Sequence, residues 1–372
     1  MKKYVALSAL VVGTFSMIPG GRAVAALYTP GDLVVLQVGL TGSMTALGSK
    51  GTACQLDEFT TTGTAVPSAT LLLPTMASGS NNPLTVSGSA GSEGALTLSA
   101  NGGYLVIGGN DTGVGGTTQK NSTVGLIDAN GDIDTSTTTT LLTGNNTRSA
   151  TSVDGSEVWV GGANGIVAEA DGSSSGTLIT SENSRELTIA PASVSPTSST
   201  QIFDSTQKTP GPGLLTVGTG TPTSSTTVAV LSGMTGTNSP NPFAFFFANP
   251  TTLFVADGTD GIQEWTLSSG TWSVAATLAG SDDSLTGSVS GNTVSLFYTT
   301  GTSSGWTGGN TLVTDTFDLS GGGFGTPQTL ATAPTNTGFS GVAFAPQAVP
   351  EPASIGLLAL AAGGLVIRRR RN

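Results

Sequence analysis

The residues Asp128-Ala129-Asn130-Gly131-Asp132-Ile133-Asp134 place oxygen-bearing side chains at every second position. Such spacing suits a hard cation, which collects carboxylate and amide oxygens from a tight loop. The likeness to a calcium-binding loop is incomplete. Its glycine stands fourth instead of sixth, and the twelfth residue is Thr139 where a bidentate Glu is required. An Asn-Gly turn joining two strands explains the same residues more simply. Asp128, Asn130, Asp132 and Asp134 therefore remain only weak candidates for cation ligands, and no metal site is expected. Asp257-Gly258-Thr259-Asp260-Gly261 reads the same way.

Two pairs of adjacent carboxylates, Asp57-Glu58 and Asp282-Asp283, invite comparison with an acid–base dyad. Neighbours along a strand point to opposite faces, so neither pair is a dyad by itself. A glycosidase could still draw two converging carboxyls from different elements. The chain has no histidine, which removes every Ser-His, Cys-His and His-metal constellation. Cys54, the single cysteine, is expected to pack as a small apolar residue. Of the tryptophans, Trp159 and Trp265 occupy strand-like runs and suit packing between sheets, while Trp306 stands in a glycine-rich loop and suits exposure. These residues lead us to expect no enzyme activity and no cofactor. The alternative is a secreted glycan hydrolase working through carboxylates.

Lys and Arg number 12 against 23 Asp and Glu, for a net charge of −11. Lys2, Lys3, Arg22 and Arg368 to Arg371 belong to the two ends. Only Lys50, Lys120, Arg148, Arg185 and Lys208 lie between them, together with every acid except Glu351. From Thr209 to Val349 there is no basic residue. Such a surface repels phosphate backbones, so nucleic acid is not an expected partner.

The elements that would carry these groups read as strands. Charged residues make up 9% of the chain and apolar residues 37%, too apolar a mixture for disorder. Short runs of Val, Leu, Ile, Phe and Thr alternate with Gly, Asn, Asp and Pro, with no sustained helical period. A cadence recurs: a small-residue strand, a polar turn, an apolar strand, then two further strands. It begins near Gly94, Ala150, Arg185, Phe243 and Gly287, and its fourth strands include Leu141-Leu142, Leu178-Ile179 and Val274 to Leu278. Four strands every ~35–57 residues is the repeat of a β-propeller blade.

Two leftovers complement each other. Phe339 to Phe344 is a first strand with no successors, and Asp32 to Val38, Cys54 to Phe59 and Val66 to Leu73 are three strands with no first strand. Joined, they complete one more blade and lock the ring. The expected fold is therefore all-β, a propeller of six blades closed by strands from both ends, or seven if a loop hides one. The alternative is a β-sandwich or several.

Both ends of the chain carry addresses. Met1-Lys2-Lys3, an apolar run from Tyr4 to Ile18, and Ala23-Val24-Ala25 form the pattern of a secretory signal peptide, cleaved between Ala25 and Ala26 by signal peptidase. At the other end stand Val349-Pro350-Glu351-Pro352, an apolar transmembrane segment at 355–367, and the cluster Arg368, Arg369, Arg370 and Arg371. The apolar segment is shorter than the ~20 residues of an ordinary spanning helix, and the arginines suit a stop-transfer signal. The three parts in this order resemble the PEP-CTERM sorting signal of Gram-negative bacteria. The resemblance implies transient inner-membrane association, processing by an exosortase-like membrane protease that reads Pro-Glu-Pro, and a bacterium that makes exopolysaccharide. The expected organisation is a signal peptide at 1–25, a propeller-like extracellular domain at 26–348 and a sorting signal at 349–372. The expected function is a non-enzymatic binding or structural role at the cell surface or in the extracellular matrix, with polysaccharide or matrix proteins as partners.

Overall fold

The computed structural model describes residues 26–208, 211–235, 240–301 and 309–349. The signal peptide with Ala23 and Ala25, the tail from Pro350 onward, and Trp306 lie outside the described residues.

The strands assemble into six antiparallel meanders arranged as a propeller. The first blade runs Leu96–Leu98, Tyr104–Asn110, Ser122–Asp128 and Thr138–Thr139, with Ile133–Asp134 as an added pairing. The second runs Thr147–Ser152, Glu157–Gly162, Gly165–Ala170 and Thr177–Thr180. The third comprises Leu187–Ala190, Gln201–Thr206, Gly213–Val217 and Val228–Val230, and the fourth Pro242–Asn249, Thr252–Asp257, Gly261–Ser268 and Thr271–Leu278. The fifth comprises Asp282–Ser290, Thr293–Thr300, Thr311–Asp318 and Gln328–Thr332, with Gly323–Phe324 beside it. In the closing blade, Gly338–Phe344 is the inner strand, followed outward by Leu33–Val38, Cys54–Phe59 and Leu71–Leu72.

The closing blade is the one inferred from the two sets of orphan strands. Leu33 pairs with Phe344 and Val38 with Gly338, across a bulge between Val35 and Gln37. The run Leu33 to Val38 is fully buried because both its faces are covered. Val34 and Leu36 pack toward the first blade with Leu96, Leu105 and Ile107. Leu33 and Val35 pack toward the fifth with Phe297, Leu312 and Phe339. The closing strand also hydrogen-bonds to both neighbours. Ser340 Oγ donates to Glu93 O at 2.9 Å and the Gly341 amide to Gly94 O at 3.0 Å. On the other side the Val342 amide donates to Ser284 Oγ at 2.9 Å, and Thr299 Oγ1 to Ser340 O at 2.7 Å. Gly341 allows this approach, since a Cβ there would stand 2.3 Å from the Leu96 amide nitrogen.

Outer strands depart from the sequence expectation. The fourth strand of the first blade is Thr138–Thr139, not Leu141-Leu142. Thr139 Oγ1 accepts from the Leu141 amide, which turns the chain away from the sheet, so Leu142 is buried from a loop and Leu141 is exposed. Of Val66 to Leu73, only Leu71–Leu72 pairs, because Pro67 starts a 3-10 turn through Ala69. A ribbon of Gly51–Thr52 against Val86–Ser87 lies outside the blade pattern.

The tryptophans on strands are buried between blades. Trp159 packs with Leu187 and Ile202 of the third blade, and Trp265 with Phe203 and Phe247. Cys54 is fully buried, and burial pushes its thiol up to about 12. The native protein will therefore resist maleimide labelling at Cys54, with modification seen only after unfolding. Rapid labelling of the folded protein, read by mass, would contradict this packing.

The meander gives the ring two faces. Inner strands begin on what we call the upper face and end on the lower one; second-to-third strand turns lie on the upper face, and third-to-fourth turns on the lower. Among the described residues every basic side chain belongs to the upper face: Lys50, Lys120 and Lys208 in second-to-third connections, Arg148 and Arg185 where inner strands start. The lower face carries Asp32, Asp128, Asp132, Asp154, Asp171 and Asp318 and no base. Both described chain ends also emerge there. The Leu27 amide donates to Ala129 O at 2.9 Å and the Gln347 amide to Gly102 O at 2.8 Å.

Candidate functional site

The inner strands enclose a central channel with two unlike compartments. On the lower side is a chamber of about 250 Å³. Its walls come from five blades and include Leu98, Val194, Phe246, Leu285, Val342 and Phe344. Half-exposed Phe246 and Phe344, with exposed Pro191, mark the mouth. The walls are mostly apolar because residues that pack blade against blade also border the axis, with Thr97, Ser99, Glu186, Thr188 and Thr286 set among them.

Toward the upper face the channel narrows to a polar constriction of about 10 Å³. Glu93, Arg185, Glu186, Asp283, Ser284 and Ser340 line it. These residues stand where inner strands begin, so the blade repeat itself gathers them around the axis. Glu186 borders both compartments.

Polar partners satisfy only part of this cluster. Glu93 Oε2 accepts from the Ser87 amide at 2.9 Å and from Asn110 Nδ2 at 3.0 Å, while Oε1 is buried without a partner. Both carboxylate oxygens of Asp283 are also buried and unpartnered. Asp204 Oδ1 accepts from Ser184 Oγ at 2.7 Å and its Oδ2 has no partner. Burial pushes the Glu93 and Asp283 carboxyls up to about 7, and drives Glu186 and Asp204 well above the usual carboxylate range.

The two arginines are bound by neutral acceptors. Arg185 donates through NH1 to Asn241 Oδ1 at 2.8 Å and Pro242 O at 2.9 Å, and through NH2 to Gln207 Oε1 at 2.7 Å. Its guanidinium lies 4.0 Å over the Phe243 ring. Arg148 donates to Asn183 Oδ1 at 3.1 Å and Ser184 O at 2.9 Å. Burial lowers both guanidinium groups, Arg185 to about 10.

The residues singled out by sequence lie elsewhere, with one exception. Asp128 accepts through Oδ1 from the amides of Asn130 and Asp132, at 2.8 and 2.9 Å, and Gly131 takes φ +82°. Its Oδ2 accepts from Asn130 Nδ2 at 3.1 Å, so this is a hairpin turn held by its own aspartate. Among the described residues no group of three or more His, Cys, Asp or Glu is placed to hold a metal ion.

Asp57 accepts from Gln55 and Thr70 side chains, while the Thr29 amide donates to Glu58 Oε1, so this pair diverges as strand geometry requires. Asp282 and Asp283 sit at a bulge, Asp283 unpaired between Asp282 and Ser284, and the two stay close enough that the Asp283 charge adds to burial in raising Asp282. Only Asp283 reaches the constriction. Glu93 and Glu186 escaped sequence reasoning because each stands alone in a loop, with no motif around it.

No curated protein matches the chain. Among solved structures, the WD40 β-propeller domain of Doa1 is similar over 81% of this chain and 87% of that one, at 10% identity and a TM-score of 0.42. The tail gives the specific finding: residues 348–371 match the PEP-CTERM protein-sorting motif.

Proposed function

We propose that the chain is an exported, exosortase-processed protein of the bacterial cell surface or extracellular matrix, with a non-enzymatic binding or structural role alongside exopolysaccharide. The observation that carries this reading is the sorting motif at residues 348–371, beginning four residues after the closing strand ends at Phe344. Its arginines mark the cytoplasmic side of a short apolar segment, which leaves the propeller outside. Signal peptidase and an exosortase-like protease are the processing partners. A hydrolase would need room at its carboxyls for a sugar and a water. Here the carboxyl-lined end of the channel has a volume of about 10 Å³, which favours binding over hydrolysis.

Replacing Pro350, Glu351 and Pro352 together by alanine will hold the uncut protein in the inner-membrane fraction. The parent chain will appear at the surface or in the medium at a lower intact mass. Release of the triple variant at the same mass as the parent would sink the sorting role.

A further inference from the structure

The two compartments of the channel match the two halves of one kind of molecule. We propose that the channel binds a primary amine with a compact apolar body: its ammonium enters the constriction among Glu93, Glu186 and Asp283, and its body fills the chamber. This inference extends the binding role proposed above and is independent of how the protein is sorted.

Size sets the head group. About 10 Å³ is room for one water-sized group, which a primary ammonium meets and a trimethylammonium does not. Chemistry sets its charge. Of the residues that line the constriction, Glu93 and Asp283 carry buried oxygens without a partner, Glu93 Oε1 and both of Asp283, the latter packed against Gly301, and all three are acceptors. Glu93 is 1% exposed, so bulk water does not satisfy that oxygen. The cations nearby do not fill the place. Arg185 is committed to Asn241, Pro242, Gln207 and the Phe243 ring, and Arg148 holds Asn183 and Ser184 through NH1, with its Nε buried and unpartnered outside the constriction lining. Asp204 stands behind them, against Ser184.

Glu186 ties head to body. Thr188 Oγ1 donates to its Oε1 at 3.4 Å, and Glu186 and Thr188 both border the chamber. The chamber is the right size for the body. An apolar cavity of about 150 Å³ holds benzene, and this one is about 250 Å³. A phenyl or short branched alkyl group fits without displacing a wall.

Binding has a proton balance. The buried carboxyls are neutral in mildly acid solution. An incoming ammonium keeps its own protons and lets one carboxyl ionise, so one proton passes to solvent and no covalent bond changes.

Calorimetric titration of the mature protein near pH 6, in two buffers of different ionisation enthalpy, tests this. Three probes share one body: phenethylamine, phenethyl alcohol and phenylacetate. The expected result is one-to-one binding of the amine, roughly tenfold or more tighter than the alcohol, with net proton release and no binding of phenylacetate. Asp283→Asn removes one carboxyl whose oxygens hold nothing else, and should erase most of that preference on a protein that still melts in one transition, no lower than the parent near neutral pH. Leu98→Trp fills the chamber and should abolish binding of amine and alcohol alike. Equal affinity for amine and alcohol, no saturable binding, or amine binding that survives Leu98→Trp on a folded protein would each overturn the proposal. The last outcome would place the amine on the acidic exterior. None of these results changes where the protein is sorted.

Discussion

A chain ending at Thr337 will show no cooperative melting transition, whereas one ending at Val349 will melt like the parent. The difference is the inner strand Gly338–Phe344. Its loss exposes the edge of Leu33–Val38, which then has paired backbone only toward Cys54–Phe59. It also removes buried Phe339, Val342 and Ala343 from the cores shared with the fifth and first blades. Full burial of a large aliphatic or aromatic side chain contributes about 1.5–3 kcal/mol. Domains of ordinary stability have only about 5–15 kcal/mol in total. The severed contacts with Ser284, Glu93, Gly94 and Asn310 add buried unsatisfied groups. Circular dichroism during heating reads the result. A parent-like transition in the shorter chain would mean that the ring does not depend on this strand.

Stability will fall as pH rises from about 5 to about 8, the reverse of the acid sensitivity common among proteins whose carboxylates are paired. Glu93, Asp282 and Asp283 have folded-state values of about 7, raised by burial from 4.5 or 3.8. Glu186 and Asp204 are raised further for the same reason. Between the unfolded and folded values the native state binds more protons than the unfolded chain, so ΔG of unfolding decreases with pH across that window. The stabilisation is complete below the unfolded values and is lost as pH passes about 7.

Glu93 alone accounts for on the order of 3 kcal/mol. Arg148 and Arg185 face this cluster, but Arg185, lowered to about 10, keeps its charge throughout the window. Asp154, held below the usual range by Ser156, acts in the opposite sense only at lower pH. Melting temperatures across the window should therefore peak on the acid side. Glu93→Gln should flatten the profile without reversing it. A Tm that climbs from pH 5 to 8 would exclude neutral carboxyls at the axis.

The strands and their closure were legible because they are written twice, in apolar runs and in turn residues. Leu33 to Val38 is apolar at nearly every position since both faces are covered, and Phe339 to Phe344 repeats the small-residue character of the other inner strands. Outer strands were less legible. Leu141-Leu142 has strand composition, yet the Thr139 hydroxyl bonds the Leu141 amide and ends the sheet first. The channel site was hidden for another reason. Glu93, Glu186 and Asp283 are separated by long stretches of chain and meet only because each precedes or opens an inner strand. Period and composition show that blades repeat; they do not tell which loop residue turns inward. Asp283 was visible only as half of a pair, and the bulge that leaves it unpaired, which places it at the constriction, has no signature in the sequence.

The placement of the chain ends has a mechanical consequence. Val349 leaves the ring on the base-free face, beside the turn at Gly103. Were the tail held in an anionic bilayer, the face carrying Asp32, Asp128, Asp132, Asp154, Asp171 and Asp318 would lie nearer the lipid than the face carrying the lysines. Like-charge repulsion acting over a Debye length of about 8 Å would then hold the body off the lipid. Such a tether would work against a standing force. Cutting it would free a disc that the lipid surface already repels.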